Sequence, residues 1–472
     1  MTIKIPPLFR HQIESVEALS KLDHGFDASD PGTGKTRVQI EIFAARRARG
    51  GGRALIVAPK SLLRTAWEDD FSKYAPWLKV SVAFASNREA AFDVDADVYV
   101  TNTDGVTWLA SKSPSWFAKR EFQTLIIDEL SSFKHHTSQR SKALSKLRKY
   151  FKYRYGLTGT PNANTILDIW NQIFLLDDGK RLGSSFYQFR SSVCQPQQVG
   201  PQPQMIKWID KPGAELAVGQ LIKDITIRHK FENCVDIPEN HQYTMQYHMS
   251  KLQTSKYEQM EALAMTSVNR QVISAINAAS VMTKLLQISS GAVYDECGNY
   301  AVVEKGRYEL IADLIKQRTH LVVFFNWRHQ RDLIIEELKR EGITYALIDS
   351  SVSDKERASA VNLFQKGFYK VLLAHPQSAA HGLTLTRGTT TIWASPTYNL
   401  EHFLQGNKRI YRISQTEPTE TITILAAGTI EEKVYEKLMT KDERQASLLS
   451  ILQEYKEGLD ENRQEQDNNG RL

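Results

Sequence analysis

No stretch constrains this chain more than Asp30–Thr36, DPGTGKT, which with Ser29 in front of it reads S-x-x-x-x-G-K-T. That is the pattern of a phosphate-binding loop with Ser in the place of its first Gly. Gly32 and Gly34, on either side of Thr33, let the backbone take positive φ angles and bring its N–H groups up to an oxyanion. Lys35 adds a point charge near the β- and γ-phosphates, and the Thr36 hydroxyl is suited to hold Mg2+. The segment RVQIEIFAARRA then repeats apolar residues at helical spacing, so the loop opens a helix whose N-terminal dipole also faces the phosphates. The bland alternative is a Gly-rich turn that happens to precede a lysine. Only the rest of the chain decides against it.

Leu8–Gln12, LFRHQ, leads into the amphipathic run IESVEALSKL, which reads as a helix ending near Gly25. Short apolar runs then alternate with helix-length segments: RALIVAPKS from Arg53, VSVAFA from Val80, DVYVTN from Asp97, TLIIDE from Thr124 and YRYGLTGT from Tyr153. Runs so rich in Val, Ile and Leu are the mark of buried parallel strands in a wound α/β sheet. Between about 177 and 237 the alternation fails, giving a helical and loop insertion in which the patch CQPQQVGPQPQ, Cys194–Gln204, reads as a flexible loop. A leading helical segment at about 249–290 precedes a second alternating set: HLVVFFN from His320, ITYALID from Ile343, YKVLLAH from Tyr369, TTIWAS from Thr390 and TITILAAG from Thr421. The expected domains are an N-terminal lobe over 1–238, a C-terminal lobe over 239–450 and a polar flexible tail over 451–472.

Composition narrows the class. A hydrophobic fraction of 41% and a charged fraction of 24% suit a soluble globular protein, and a net charge of +6 permits a polyanionic partner without requiring one. Cys194, Cys234 and Cys297 lie far apart with no C-x-x-C pair, so neither a zinc site nor a disulfide framework is indicated. No apolar run approaches the ~18 residues of a membrane span, and the N-terminus lacks a signal-peptide core. A cytoplasmic location is expected, in the host cytoplasm if the protein is a phage's.

A magnesium nucleotide site needs a carboxylate at the end of a buried strand, and LIIDEL supplies Asp128 and Glu129. Asp128 would hold the metal through water, and Glu129 would orient and deprotonate the attacking water. Two acids after a strand are commonly a solvated turn; downstream of a phosphate loop they read as a functional pair. In the second lobe QGNKRIYRISQ, Gln405–Gln415, sets Arg409 and Arg412 at i and i+3, so that on a helix they project from one face and could reach a γ-phosphate. A plain basic surface helix is the alternative.

With these residues in view, the chain resembles the Swi/Snf-like family of superfamily-two helicases, ATP-driven translocases on double-stranded DNA. LFRHQ resembles the family's adenine-reading element, with Gln12 as the reader. LIVAPKSLLRTAWEDDF is similar to motif Ia, in which Pro59, Lys60 and Ser61 would meet the DNA backbone. LTGTPNANTILDIWNQIFLL carries the family's most specific run, and gives Thr158, Gly159 and Thr160 a coupling role. VVFFNWRHQRDLIIEEL resembles motif IV, HGLTLT motif V and QGNKRIYRISQ motif VI, followed by GTIEEKV. The resemblance, from roughly Pro7 to Met439, extends DNA contact to Thr101, Asn102 and Asn326, and coupling to Gly382 and Gln405. It implies two RecA-like parallel-sheet lobes facing across a cleft, ATP and Mg2+ between them, and DNA running over both. Several positions depart from the family pattern. Ser29-Asp30-Pro31 stands for Asp-Glu-Met, Ser131 for the His of the Asp-Glu-Ala-His box, Ala379-Ala380 for two glycines and Thr384 for Asn.

The expected function is DNA-stimulated ATP hydrolysis coupled to movement of a monomeric motor along duplex DNA, independent of sequence. A strand-separating helicase or motor subunit of a replication or restriction system, and a nucleotide-gated DNA-binding module with little turnover, are the alternatives. No histone-reader segment is recognisable, so a bare phage or bacterial motor is expected. His135 and His136 read as surface or DNA-facing residues rather than metal ligands, and Trp67, Trp170 and Trp327 as core. Lys134, Arg140, Lys142, Lys146, Arg148 and Lys149 read as a solvated basic face, with phosphate contact as the alternative.

Overall fold

The computed structural model describes residues 5–162, 165–199, 202, 205–234, 238–270, 275–379, 383–412 and 415–441. The expected tail at 451–472 lies outside them. The chain divides after residue 236 into two compact units, the second being Ile237–Thr440.

The first unit is a seven-stranded parallel sheet flanked by helices. Its strands in chain order are β1 (His24–Asp27), β2 (Arg53–Ala58), β3 (Val80–Ala83), β4 (Val98–Asn102), β5 (Phe122–Asp128) and β6 (Tyr153–Leu157), with a two-stranded antiparallel hairpin, β7 (Cys194–Gln198) and β8 (Ile206–Asp210), set apart from them. The seventh sheet strand, β9 (Thr226–Ile227), lies at the edge in the order β3-β4-β2-β5-β6-β1-β9. Both faces are buried. Leu55 and Val57 of β2 join Leu125 and Ile127 of β5 in one core, whereas Ala54, Ile56 and Ala58 join Ile126 in the other. Alternation of side chains across a sheet with two covered faces explains why the strands read as unbroken apolar runs.

Three expectations are corrected here. The first helix, Arg10–Ser20, ends before Gly25, which belongs to β1 and packs closely against Leu19 and Tyr155. The Pro/Gln patch is not a loop throughout: Cys194–Gln198 forms β7, with Pro196 opposite Trp208. Proline is tolerated because a two-stranded ribbon leaves edges on which a missing N–H costs no ladder bond. Finally, the insertion is more than helix and loop, because its far end returns to the main sheet as β9, paired with β1.

The second unit carries a six-stranded parallel sheet. It contains β10 (Asn240–Tyr247), a small antiparallel hairpin of β11 (Ala292–Tyr294) and β12 (Tyr300–Val302), then β13 (Leu321–Phe324), β14 (Tyr345–Ile348), β15 (Val371–Ala374), β16 (Thr390–Trp393) and β17 (Thr419–Ala426). The sheet order is β10-β17-β16-β13-β15-β14. Leu321 and Val323 face one core and Val322 and Phe324 the other. Strand β10 escapes the sequence pattern because most of its side chains are exposed or half-buried on the sheet edge. Among the described residues, no helix is long and apolar enough to cross a membrane.

Candidate active site

The phosphate loop runs from the end of β1 into the helix Lys35–Ala48. Gly32 and Gly34 have φ of +92° and +83°, the left-handed conformations that the pattern requires. A Cβ on Gly34 would run into the Gln12 amide, and one on Gly32 would come within 3.1 Å of the Phe231 ring. Gln12 is buried: its amide oxygen accepts from Phe9 N at 3.1 Å, and its amide nitrogen lies 3.4 Å from Thr33 O. A ring nitrogen of His11 meets the same carbonyl at 2.8 Å. The Lys35 ammonium donates to Ser29 O at 2.7 Å and Asp30 O at 3.0 Å, so the loop's own carbonyls hold it. Thr36 follows as the second residue of the helix.

Asp128 closes β5 and is buried. Its Oδ2 accepts from the indole N–H of Trp67 and its Oδ1 from Glu129 N, both at 3.0 Å. Burial raises its pKa above the ordinary carboxylate value; the Trp67 donor, the Lys35 charge and the Glu129 amide pull the other way. The Lys35 charge therefore acts on Asp128. A buried carboxylate short of compensating charge, with the Thr36 hydroxyl on the loop, is a donor set of hard oxygens that fits Mg2+, an ion that keeps part of its water shell and binds phosphate oxygens. Glu129 has φ of +52°, a left-handed conformation unusual for a side-chain-bearing residue, and opens the turn Leu130–Phe133.

The run after β6 interlocks with the loop. Thr158 N donates to Asp27 O at 3.1 Å, and a Cβ on Gly159 would lie 2.6 Å from Pro31 Cδ. Thr160 N donates to Thr158 Oγ1, while the buried Thr160 hydroxyl and the Asn162 side-chain oxygen Oδ1 have no hydrogen-bond partner among the described residues.

Several residues of this site carry no motif. Trp67, expected only as core, is fully buried and also holds the Asp128 carboxylate. The Asp30 carboxylate pairs with Arg228 at 2.7 Å and accepts from Phe231 N at 2.9 Å; His229 N donates to Ser29 Oγ at 3.1 Å. Thus the Ser29-Asp30 departure ties the loop to the strap that continues from β9. No spacing rule joins positions some two hundred residues apart in the chain; only the pairing of β9 with β1 brings them together.

In the second unit, Arg409 and Arg412 do not share a helix face. The helix Leu400–Asn407 ends first, and both arginines lie on the turn beyond it. They nevertheless converge: Arg409 Nη1 and Arg412 Nη1 donate to Leu383 O at 3.3 and 2.8 Å, and Arg412 also donates to Thr384 Oγ1 at 3.0 Å. Arg409 Nε donates to the backbone oxygen of Gln405 at 2.7 Å, which seats the buried Gln405 beneath it. Gly382 lies outside the described residues.

The expected DNA-contact residues differ in availability. Pro59, Lys60 and Ser61 lie just beyond β2, with Lys60 exposed. Thr101 is fully buried and donates to Ala83 O at 3.1 Å, so its side chain belongs to the core and is not placed for phosphate contact. Asn102 accepts from Arg88 and donates to Asp104, each at 3.2 Å. Asn326 is half-buried, its amide nitrogen bound to Ser395 and Pro396. His136 is half-buried and packs on the rings of Trp170 and Phe186. Lys134 and Arg148 are engaged by Asp168 and Asp178, leaving Arg140, Lys142, Lys146 and Lys149 as the exposed part of that basic stretch.

Residues 11–292 match the model of the SNF2-related domain. The chain belongs to the SNF2-related family. Residues 306–414 match the helicase conserved C-terminal domain, and the two parallel-sheet units are the RecA-like lobes of a superfamily-two ATPase. The chain is accordingly an ATP hydrolase of the helicase type. It is similar to the putative protein p41 of Acyrthosiphon pisum secondary endosymbiont phage 1, at 26% identity over 84% of this chain and 88% of that one. It is also similar to an uncharacterized ATP-dependent helicase of Mycoplasma pneumoniae, at 25% identity over 93% of this chain, but spans only 42% of that protein. Among solved structures, the Sulfolobus solfataricus SWI2/SNF2 ATPase core in complex with dsDNA is 22% identical over 96% of both chains, with a TM-score of 0.45.

Proposed function

We propose that this SNF2-related ATPase is a motor that moves along duplex DNA without separating its strands. The observation that carries the reading is the interlock in the first unit. The Thr158–Thr160 run meets Asp27 and Pro31 of the loop segment, and Asp128 lies within the influence of the Lys35 charge. A change at the γ-phosphate therefore has a route to the run that the family resemblance marks as coupling.

Lys35 and the loop amides bind the phosphates, and Thr36 and Asp128 would hold Mg2+, which would neutralise phosphate charge there. Glu129 orients the attacking water and takes its proton. Arg409 and Arg412, already gathered on one carbonyl, supply positive charge as phosphoryl transfer proceeds. DNA contact is to phosphates and independent of sequence, with Lys60 and Ser61 among the contacts, and the motor acts as a monomer in the cytoplasm. A triplex-displacement assay on a duplex track, beside unwinding of a forked duplex, tests this. ATP-dependent loss of the third strand without unwinding is expected; efficient unwinding, or vigorous ATPase with no displacement, would overturn it.

A further inference from the structure

Asp30 stands directly before Pro31 and Gly32, where a negative charge works against the loop: phosphates are to be held there, and a carboxylate beside them repels them. Its backbone oxygen lies 3.0 Å from the Lys35 ammonium, so its side chain sits in the field of any phosphate that Lys35 holds. The use of an acid at this position follows from the way the loop is tethered.

The pairing of β1 with β9 runs on beyond both strands. Ala28 N donates to Ile227 O at 2.9 Å and Asp30 N to His229 O at 3.0 Å, as in a parallel ladder. Regular pairing would return His229 N to Ala28 O and Phe231 N to Asp30 O. Here His229 N donates to Ser29 Oγ at 3.1 Å, and Phe231 N to Asp30 Oδ2 at 2.9 Å. Short acceptor side chains at 29 and 30 thus carry the tether, and Asp30 O serves the loop, accepting from Lys35 and, at 2.9 Å, from the Thr33 hydroxyl. The other carboxylate oxygen, Oδ1, meets the buried Arg228 guanidinium at 2.7 Å, and that guanidinium also donates to His229 O at 2.9 Å.

We propose that Arg228 is a positioning residue for nucleotide binding: it cancels the Asp30 charge beside the polyphosphate, so that the loop keeps its carboxylate tether without repelling ATP. Arg228 acts through Asp30 and need not touch the nucleotide. The inference rests on the phosphate loop binding ATP and not on movement along DNA, so loss of the motor reading would leave it standing. It predicts effects of opposite sign for the two partners of one ion pair, which a packing role does not.

The test measures binding of a fluorescent, non-hydrolysable ATP analogue to the full chain without DNA, with the melting temperature of each variant followed alongside. Arg228→Gln keeps an amide donor toward Asp30 but loses the charge. Affinity should fall about tenfold, the order that one unit charge roughly 10 Å from a phosphate gives at an effective dielectric constant near 20. Asp30→Asn keeps an acceptor for Phe231 N and should bind as tightly as wild type or tighter, because only the cation remains. The double variant should return to within about threefold of wild type, the non-additivity of a coupled pair. Lys230→Gln removes an exposed cation of the same strap and should change affinity less than about twofold, since solvent and salt screen it. A packing role predicts instead that Asp30→Asn binds more weakly than wild type and that the double variant is no better than Arg228→Gln. Either result, wild-type affinity in Arg228→Gln, or an equal loss in Lys230→Gln would overturn the proposal. Should Arg228→Gln melt too low to assay, Asp30→Asn and the double variant decide, since neither leaves a carboxylate at position 30, and weakened binding in both would overturn it.

Discussion

The groups proposed for catalysis are held in different ways in the two units. In the first, local backbone does most of the work. Left-handed glycines shape the loop, Lys35 is held by carbonyls within six residues of it, and Asp128 is fixed at the end of a buried strand. In the second, Arg409 and Arg412 lie beyond the end of their helix and are gathered by Leu383 O, which belongs to a separate segment. A site built from local backbone depends on the loop's own geometry. A site gathered at a distance depends on everything that keeps the two segments in register.

The largest expected effect tests the first kind of site. Lys35→Ala removes the charge on the phosphates and should take ATP turnover below detection, while Glu129→Gln should retain nucleotide binding and lose hydrolysis. Near wild-type turnover in Glu129→Gln would remove the assigned base.

Next, Arg412→Ala should lower turnover on the order of a thousandfold if this residue acts as an arginine finger. Thr384→Ala, which deletes one of Arg412's acceptors, should have a smaller effect in the same direction. If Thr384→Ala and Arg412→Ala both leave turnover intact, the gathered arginines take no part in the chemistry, and the comparison between the units fails.

Trp67→Phe sharpens the contrast within the first unit, since it keeps the aromatic bulk but deletes the donor to Asp128. Losing a group that orients a metal-binding residue typically costs about 10–100-fold in metal affinity or activity. Turnover should fall in that range and recover at raised Mg2+. A loss that Mg2+ does not restore would make Trp67 a packing residue only.

The smallest effect separates the units by pH. Burial pulls His329 in the second unit down to about 3 and His402 down to about 4, from an ordinary value of 6.5. The unfolded chain binds those protons more readily, so the stability associated with neutral His329 is full above pH 6.5 and is lost as pH falls from 6.5 toward 3. In the first unit, hydrogen bonding from Arg154 is the main cause that brings Asp178 to about 2. Its contribution is present above the ordinary value of 3.8 and is lost as pH falls from there toward 2, and it is muted because Asp178 is nearly half exposed. Each group can contribute at most ~1.4 kcal/mol per pH unit. Hydrogen exchange corrected for intrinsic rate should show segments around His329 opening at a higher pH than those around Arg154. The reverse order would contradict the assignment.

How much of this was legible beforehand follows from how local each feature is. The α/β class, the apolar strands of both sheets and the loop from Asp30 to Thr36 are written in consecutive residues, because strand burial and left-handed turns leave a signature at short range. Strand β10 was not legible, since an edge strand with exposed side chains lacks the apolar pattern, and neither was the hairpin β7–β8, whose prolines argue for loop until its edges are seen. The shared helix face drawn for Arg409 and Arg412 failed because i, i+3 spacing places residues together only while the helix lasts, and it stops at Asn407.

By itself, then, the sequence determined the chemistry that short-range backbone geometry can encode: a phosphate loop, a carboxylate pair after a buried strand, and two alternating sets of parallel strands. Tertiary structure alone decided that Trp67 holds Asp128, that Arg228 and Phe231 buttress the loop through Asp30, that Thr101 is buried, and that two arginines meet on Leu383. The physical reason is the range of the interactions. Dihedral preference and side-chain periodicity act over a few residues, whereas a hydrogen bond or ion pair needs only closeness in space, which strands paired across some two hundred residues of chain supply.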